Sequence, residues 1–253
     1  MTHSPDQVHS AVRDHYAKQA LEATDCCASN PSSTCCDSKN VLYPEELLST
    51  LPTEIASFSL GCGDPITLAD LQAGQTVLDL GSGGGLDCFL ASKKVGENGS
   101  VIGVDMTPEM VERARASAER LGYKNIEFRQ GLLEQLPVED GSIDVVLSNC
   151  VINLTPDKPQ VFREIFRVLK PGGKIAVSDI VSNGPLPAAL RENIQAWGEC
   201  LGGALDVKEY TLGLIESGFT EIKIQPRSDL GRLANALPAG TPFSATITAS
   251  KPL

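Results

Sequence analysis

Apolar positions fall into short strand-like runs separated by stretches with helical period. Val8, Val12, Tyr16 and Ala20 recur every four residues and predict a first helix over 6–22. That period stops at 24–40, where Cys, Ser, Asn and Thr dominate around Pro31, so a loop is expected. A short helix near 44–50 and the turn Leu60-Gly61-Cys62-Gly63-Asp64-Pro65 come next. From Thr76 onward strand and helix alternate: strands are predicted at 76–80, 100–104, 125–129, 143–148 and 174–179. Helices are predicted at 84–95, 108–121 and 157–169, the second opened by Thr107-Pro108. The alternation implies an α/β fold with a mainly parallel, doubly wound sheet and right-handed crossovers. Residues 187–206 read as a helical insertion, 207–217 as a helix, and 219–225 with 243–249 as a closing antiparallel hairpin.

Composition narrows the function classes. With 21 basic and 32 acidic residues the formal charge is −11, which argues against binding to nucleic acid. At 253 residues and 42% hydrophobic content the chain can bury a sizeable core. The opening residues lack a basic and apolar leader, and no run of about 18 apolar residues occurs. A cytoplasmic monomer that does not contact membrane is therefore expected. Eight cysteines in a reducing compartment argue against a disulfide scaffold, so their spacing has to show their use. The three histidines, His3, His9 and His15, all lie in the first fifteen residues. Unless that segment folds back over the site, the body of the protein has no imidazole base.

Asp79-Leu80-Gly81-Ser82-Gly83-Gly84-Gly85 follows an apolar strand and opens a helix, the place where glycines let backbone approach a ligand. A second strand ends in Asp105, placed to accept hydrogen bonds from ribose hydroxyls. An acidic residue at Asp79 suits the ammonium end of S-adenosylmethionine better than the pyrophosphate of NAD. These segments, with Gly103-Val104-Asp105 and Leu169-Lys170-Pro171-Gly172-Gly173-Lys174, resemble the Rossmann-like class I methyltransferases. The resemblance implies that Gly81 and Gly83 border the methionine portion, Asp105 the ribose and Met106 the adenine face. Leu132 and Leu133 would close the adenine pocket, and Asp79, Ser82 and Asn149 complete the expected cofactor set.

Three cysteines occupy unusual places: Cys62 in the glycine turn, Cys150 after Ser148-Asn149, and Cys200 in Trp197-Gly198-Glu199-Cys200. Converging over the cofactor, they would form a soft, trigonal sulfur site. The whole pattern, from about Cys26 to Ile224, resembles the arsenite S-adenosylmethionine methyltransferases, in which the matching cysteines bind trivalent arsenic. Cys88 reads as a packing residue. Thiolate-held As(III) keeps a nucleophilic lone pair, so no proton need be removed before methyl transfer, consistent with the missing base. The resemblance implies S-adenosylmethionine as donor, As(III) as substrate, and glutathione or thioredoxin as the reductant that restores trivalent arsenic. Cys26, Cys27, Cys35 and Cys36 are accessory-thiol candidates, as substrate collectors or as a disulfide partner for Cys62. A zinc site from these pairs lacks C-x2-C spacing. The implied organisation is a covering segment at 1–70, a cofactor core at 71–183, and an acceptor-binding insertion with the sheet's completion at 184–253. Two rivals stay open: methylation of an organic small molecule with structural cysteines, and non-catalytic As(III) binding.

Overall fold

The computed structural model describes residues 3–29, 42–56, 58, 61–227 and 238–253. Strands β1 (Thr76–Leu80), β2 (Ser100–Asp105), β3 (Ile126–Gln130), β4 (Ile143–Asn149), β5 (Leu169–Asn183), β6 (Leu205–Asp206), β7 (Thr220–Pro226) and β8 (Thr241–Ser250) form one sheet. Its order is β3-β2-β1-β4-β5-β8-β7, with the short β6 beside β5. Pairings from β3 to β6 are parallel, while β8 runs antiparallel between β5 and β7. This is the doubly wound class I architecture with the expected closing hairpin.

Strand pleating assigns the two faces. Along β1, Val77 packs with helices α5 (Leu86–Val95) and α6 (Pro108–Leu121), whereas Leu78 and Leu80 pack with α7 (Lys158–Val168) and α10 (Val207–Glu216). α6 buries Met110, Val111, Ala114 and Ala118 at helical spacing and ends at Gly122 in the left-handed conformation. α7 starts where the Gln160 N–H donates to the Asp157 carboxylate at 3.0 Å.

Several expectations need correction. The first helix, α1, runs over Pro5–Ser29, so the backbone of Cys26-Cys27 is helical rather than loop. The thiols of that pair, and the Cys35-Cys36 pair entirely, lie outside the described residues. Helices α2 (Glu45–Leu48), α3 (Thr53–Ala56) and α4 (Pro65–Ala69) precede β1, where only one short helix was expected. Residues 187–206 form two short helices, α8 (Ala188–Arg191) and α9 (Ile194–Gly198), before β6. β5 extends to Asn183 because β8 pairs with it along ten residues, to a Thr241 partner.

Candidate active site

The carboxyl ends of β1, β2 and β4 open into a cleft with about 930 Å³ of space free of protein atoms. Asp105 ends β2 there; Gly83 and Thr107 donate backbone N–H bonds to its two carboxylate oxygens at 2.9 and 2.8 Å. Desolvation in the cleft raises the Asp105 pKa, and these bonds oppose the shift. Gly81 sits at φ +63°, and a Cβ there would lie 2.3 Å from Val151, so only glycine permits the turn. Gly81, Ser82, Gly83, Asp105, Met106, Leu132, Leu133 and Asn149 all line the cleft. A fixed carboxylate, open space beside Gly83 and apolar walls from Met106 and Leu133 fit an adenosine with its ribose.

Asp79 does not line the cleft. Strand alternation turns it inward, where the Cys88 thiol donates to its Oδ2 at 3.2 Å and burial raises its pKa well above the carboxylate range. Besides Asp105 and Glu134, a carboxyl that does reach the cleft is Asp87, in the first turn of α5, which the sequence reading missed. It accepts from Tyr43 Oη at 2.7 Å, and burial pushes its pKa up to about 6. Helical period from Gly85 was the available signal, since it turns the second residue of α5 toward the glycine loop.

Beside the cleft the sequence-distant cysteines meet. Cys62 and Cys150 are joined by a disulfide with Cα atoms 5.9 Å apart, so Cys62 is paired with Cys150 and not with one of the N-terminal cysteines offered as its disulfide partner. The Cys200 thiol donates to the Cys150 carbonyl at 2.9 Å and lies 3.8 Å from Tyr16 Oη. Cys150, Cys200, Val8, Val12, Leu154 and Trp197 form one buried cluster, with Cys62 and Tyr16 packed against it. Cys150 and Cys200 hold left-handed backbones at φ 60° and 61°, a conformation that costs energy outside glycine and recurs at functional sites. Burial pushes the Cys200 thiol up to about 12. Cys88 is buried away from this cluster, as a packing residue.

The N-terminal helix does fold back. His9, Val12 and Tyr16 of α1 line the cleft, and His9 Nε2 lies 3.0 Å from Glu134 Oε1. An imidazole therefore reaches the site, which meets the condition the sequence left open, that the histidine-bearing segment fold back over it. Among the described residues no cluster of His, Cys, Asp or Glu suits a metal ion, and no helix is long and apolar enough to cross a membrane.

Strand order, glycine turn and ribose-facing aspartate define a class I S-adenosylmethionine-dependent methyltransferase, and a methyltransferase-domain family matches residues 71–218. The chain belongs, more narrowly, to the arsenite methyltransferase family. It is 39% identical to the arsenite methyltransferase of Halobacterium salinarum over 98% of its length and 68% of the relative's. It is 40% identical to that of Aquipseudomonas alcaligenes over 86% of its length and 63% of the relative's. The chain thus spans about two thirds of these curated relatives. An arsenic (III) S-adenosylmethionine methyltransferase structure from Chlamydomonas reinhardtii aligns at a TM-score of 0.65 and 38% identity, covering 82% of this chain and 72% of that one.

Proposed function

We propose that this protein transfers methyl groups from S-adenosylmethionine to trivalent arsenic held by Cys62, Cys150 and Cys200. The observation that carries the reading is the meeting of these three sequence-distant cysteines in one cluster whose Cys150 also lines the donor cleft. Family membership supports it. S-adenosylmethionine supplies an electrophilic methyl on a sulfonium. Asp105 and the Gly81–Gly83 turn would hold the adenosine end, with Met106, Leu132 and Leu133 along the base.

The high pKa of Cys200 does not obstruct arsenic binding. Each thiol proton leaves on an arsenite hydroxide as water, so three thiols and As(OH)3 give a trithiolate and three waters with no outside base. The disulfide between Cys62 and Cys150 must first accept two electrons to give two thiols. A thiol reductant, glutathione or thioredoxin, supplies them by forming its own disulfide. Methyl transfer leaves arsenic formally pentavalent; reclosing Cys62–Cys150 returns two electrons to it, and the reductant then reopens the pair. A reducing cytoplasm suits this cycle, with the protein acting as a monomer. Cys26, Cys27, Cys35 and Cys36 would be accessory thiols that pass arsenic or electrons inward.

Replacing Cys62, Cys150 or Cys200 singly by Ser should abolish at least one methylation round, read by separating methylated arsenicals, while S-adenosylhomocysteine still binds. Arsenite methylation unchanged in all three variants would defeat the assignment.

A further inference from the structure

Asn149 stands between the donor cleft and the thiols, and its amide is almost fully used. Its Oδ1 accepts the Cys62 and Gly63 backbone N–H groups at 2.9 and 3.2 Å. Its Nδ2 donates to the Gly63 carbonyl at 2.9 Å, to Tyr43 Oη at 2.8 Å and, more weakly, to Asp87 Oδ2 at 3.3 Å. Tyr43 Oη in turn donates to Asp87 Oδ1 at 2.7 Å. The turn packs so closely on this amide that a Cβ on Gly61 would lie 2.3 Å from it. From the other side, Arg227 and Ser244 donate to the Cys62 carbonyl at 2.8 and 3.1 Å.

Asn149 is the chain neighbour of Cys150 and the hydrogen-bond partner of the Cys62 backbone. One side chain therefore ties the two halves of the thiol pair together. In the oxidised protein the disulfide also does this covalently, but arsenic can bind only after that bond opens. Two thiols on separate segments then keep a high effective concentration only if the backbones carrying them stay registered.

We propose that Asn149, braced by Tyr43 and Asp87, is a positioning residue that holds Cys62 beside Cys150 in the reduced protein. The inference rests on the functional thiol pair assigned above. Its physical content is that disulfide closure and arsenic capture share one geometric requirement, so loosening the clamp weakens both by a similar factor.

The test measures the Cys62–Cys150 disulfide equilibrium in a dithiothreitol buffer without arsenic, by differential alkylation of the two cysteines and mass spectrometry. Asn149→Ala should lower the dithiol-to-disulfide closure constant at least tenfold, a rise of about 30 mV in potential. Tyr43→Phe keeps the buried ring and removes the bracing hydroxyl. It should lower the constant about threefold while the far-ultraviolet circular dichroism is unchanged, which certifies an intact fold. Arsenite affinity of each reduced variant should fall by a matching factor. A closure constant within twofold of the parent in Asn149→Ala overturns the proposal. Should that variant not fold, the same result in Tyr43→Phe overturns it. Because the redox measurement contains no arsenic, its failure removes the clamp, whereas failure of the arsenic reading shows only in the cysteine-to-serine assays.

Discussion

Asp179 carries the largest unresolved electrostatic tension near the thiols. Its side chain is fully buried; Oδ1 accepts the Ile180 N–H at 2.9 Å, and Oδ2 has no hydrogen-bond partner among the described residues. Burial raises its pKa from 3.8 to about 7, while the Lys158 ammonium partly offsets this. Lys158 is itself drawn down to about 8 by burial, although its Nζ donates to the Thr155 carbonyl at 2.8 Å and sits 4.7 Å from the Trp197 ring centre. Because the folded pKa of Asp179 lies above its unfolded value, its contribution to stability is complete below about pH 4 and is lost as pH climbs through about 7. Asp179→Asn should therefore stabilise the fold by on the order of 2–4 kcal/mol at pH 8 and by almost nothing at pH 4. Urea denaturation at both values checks this; equal gains at the two would mean that packing, and not ionisation, sets the difference.

At the scale of elements, the loop after β3 is shaped by α7. Arg167 donates to the Leu136 and Val138 carbonyls at 3.1 and 2.8 Å and pairs with Glu164 at 2.7 Å. Glu164 accepts the Leu136 N–H at 2.7 Å, and Gln160 donates to the Glu134 carbonyl at 3.1 Å. These bonds hold the segment whose Gly131, Leu132, Leu133 and Glu134 form a wall of the donor cleft. Arg167→Ala should cost about 1–3 kcal/mol of stability, since it strands two carbonyls and a carboxylate. It should also weaken S-adenosylhomocysteine binding several-fold by calorimetry, and unchanged affinity would separate the loop's order from the cleft. The elements themselves were readable where one local signal dominated. β1 matched because Val77, Leu78 and Leu80 put apolar side chains on both faces of one short run, and α6 because Thr107-Pro108 and Gly122 bracket its period. Asp79 was misplaced because chain position was weighed above pleat alternation, which turns its carboxyl away from the cleft. A covering role for 1–70 came only from the family resemblance, because apolar spacing shows that α1 has a buried stripe, not which partner buries it. Asn149, expected among the cofactor residues, lines the cleft, and its hold on Cys62 depends on an 87-residue separation closed only by the fold.

For the molecule as a whole, the thiol site is also a set of cross-links. The Cys62–Cys150 bond spans 88 residues, enclosing β1 to β4 and their helices, and in the chain-entropy view such a loop stabilises the fold by about 4–5 kcal/mol. Reduction should lower the melting temperature by roughly 10 °C, since each kcal/mol shifts a chain of this size by about 2–4 °C. Arsenic bound to the reduced site would reclose the same loop and add a covalent link across the 50 residues from Cys150 to Cys200, where the parent protein has a thiol-to-carbonyl hydrogen bond. Arsenite added to the reduced protein should thus recover the lost stability and exceed it. In Cys200→Ser the recovery should reach the oxidised melting temperature at most, because only two sulfurs remain to be bridged. Thermal scans of the oxidised, reduced and arsenite-loaded forms separate these cases. A reduced protein whose transition ignores arsenite would show that the three sulfurs do not act on one atom, whatever their closeness in the fold.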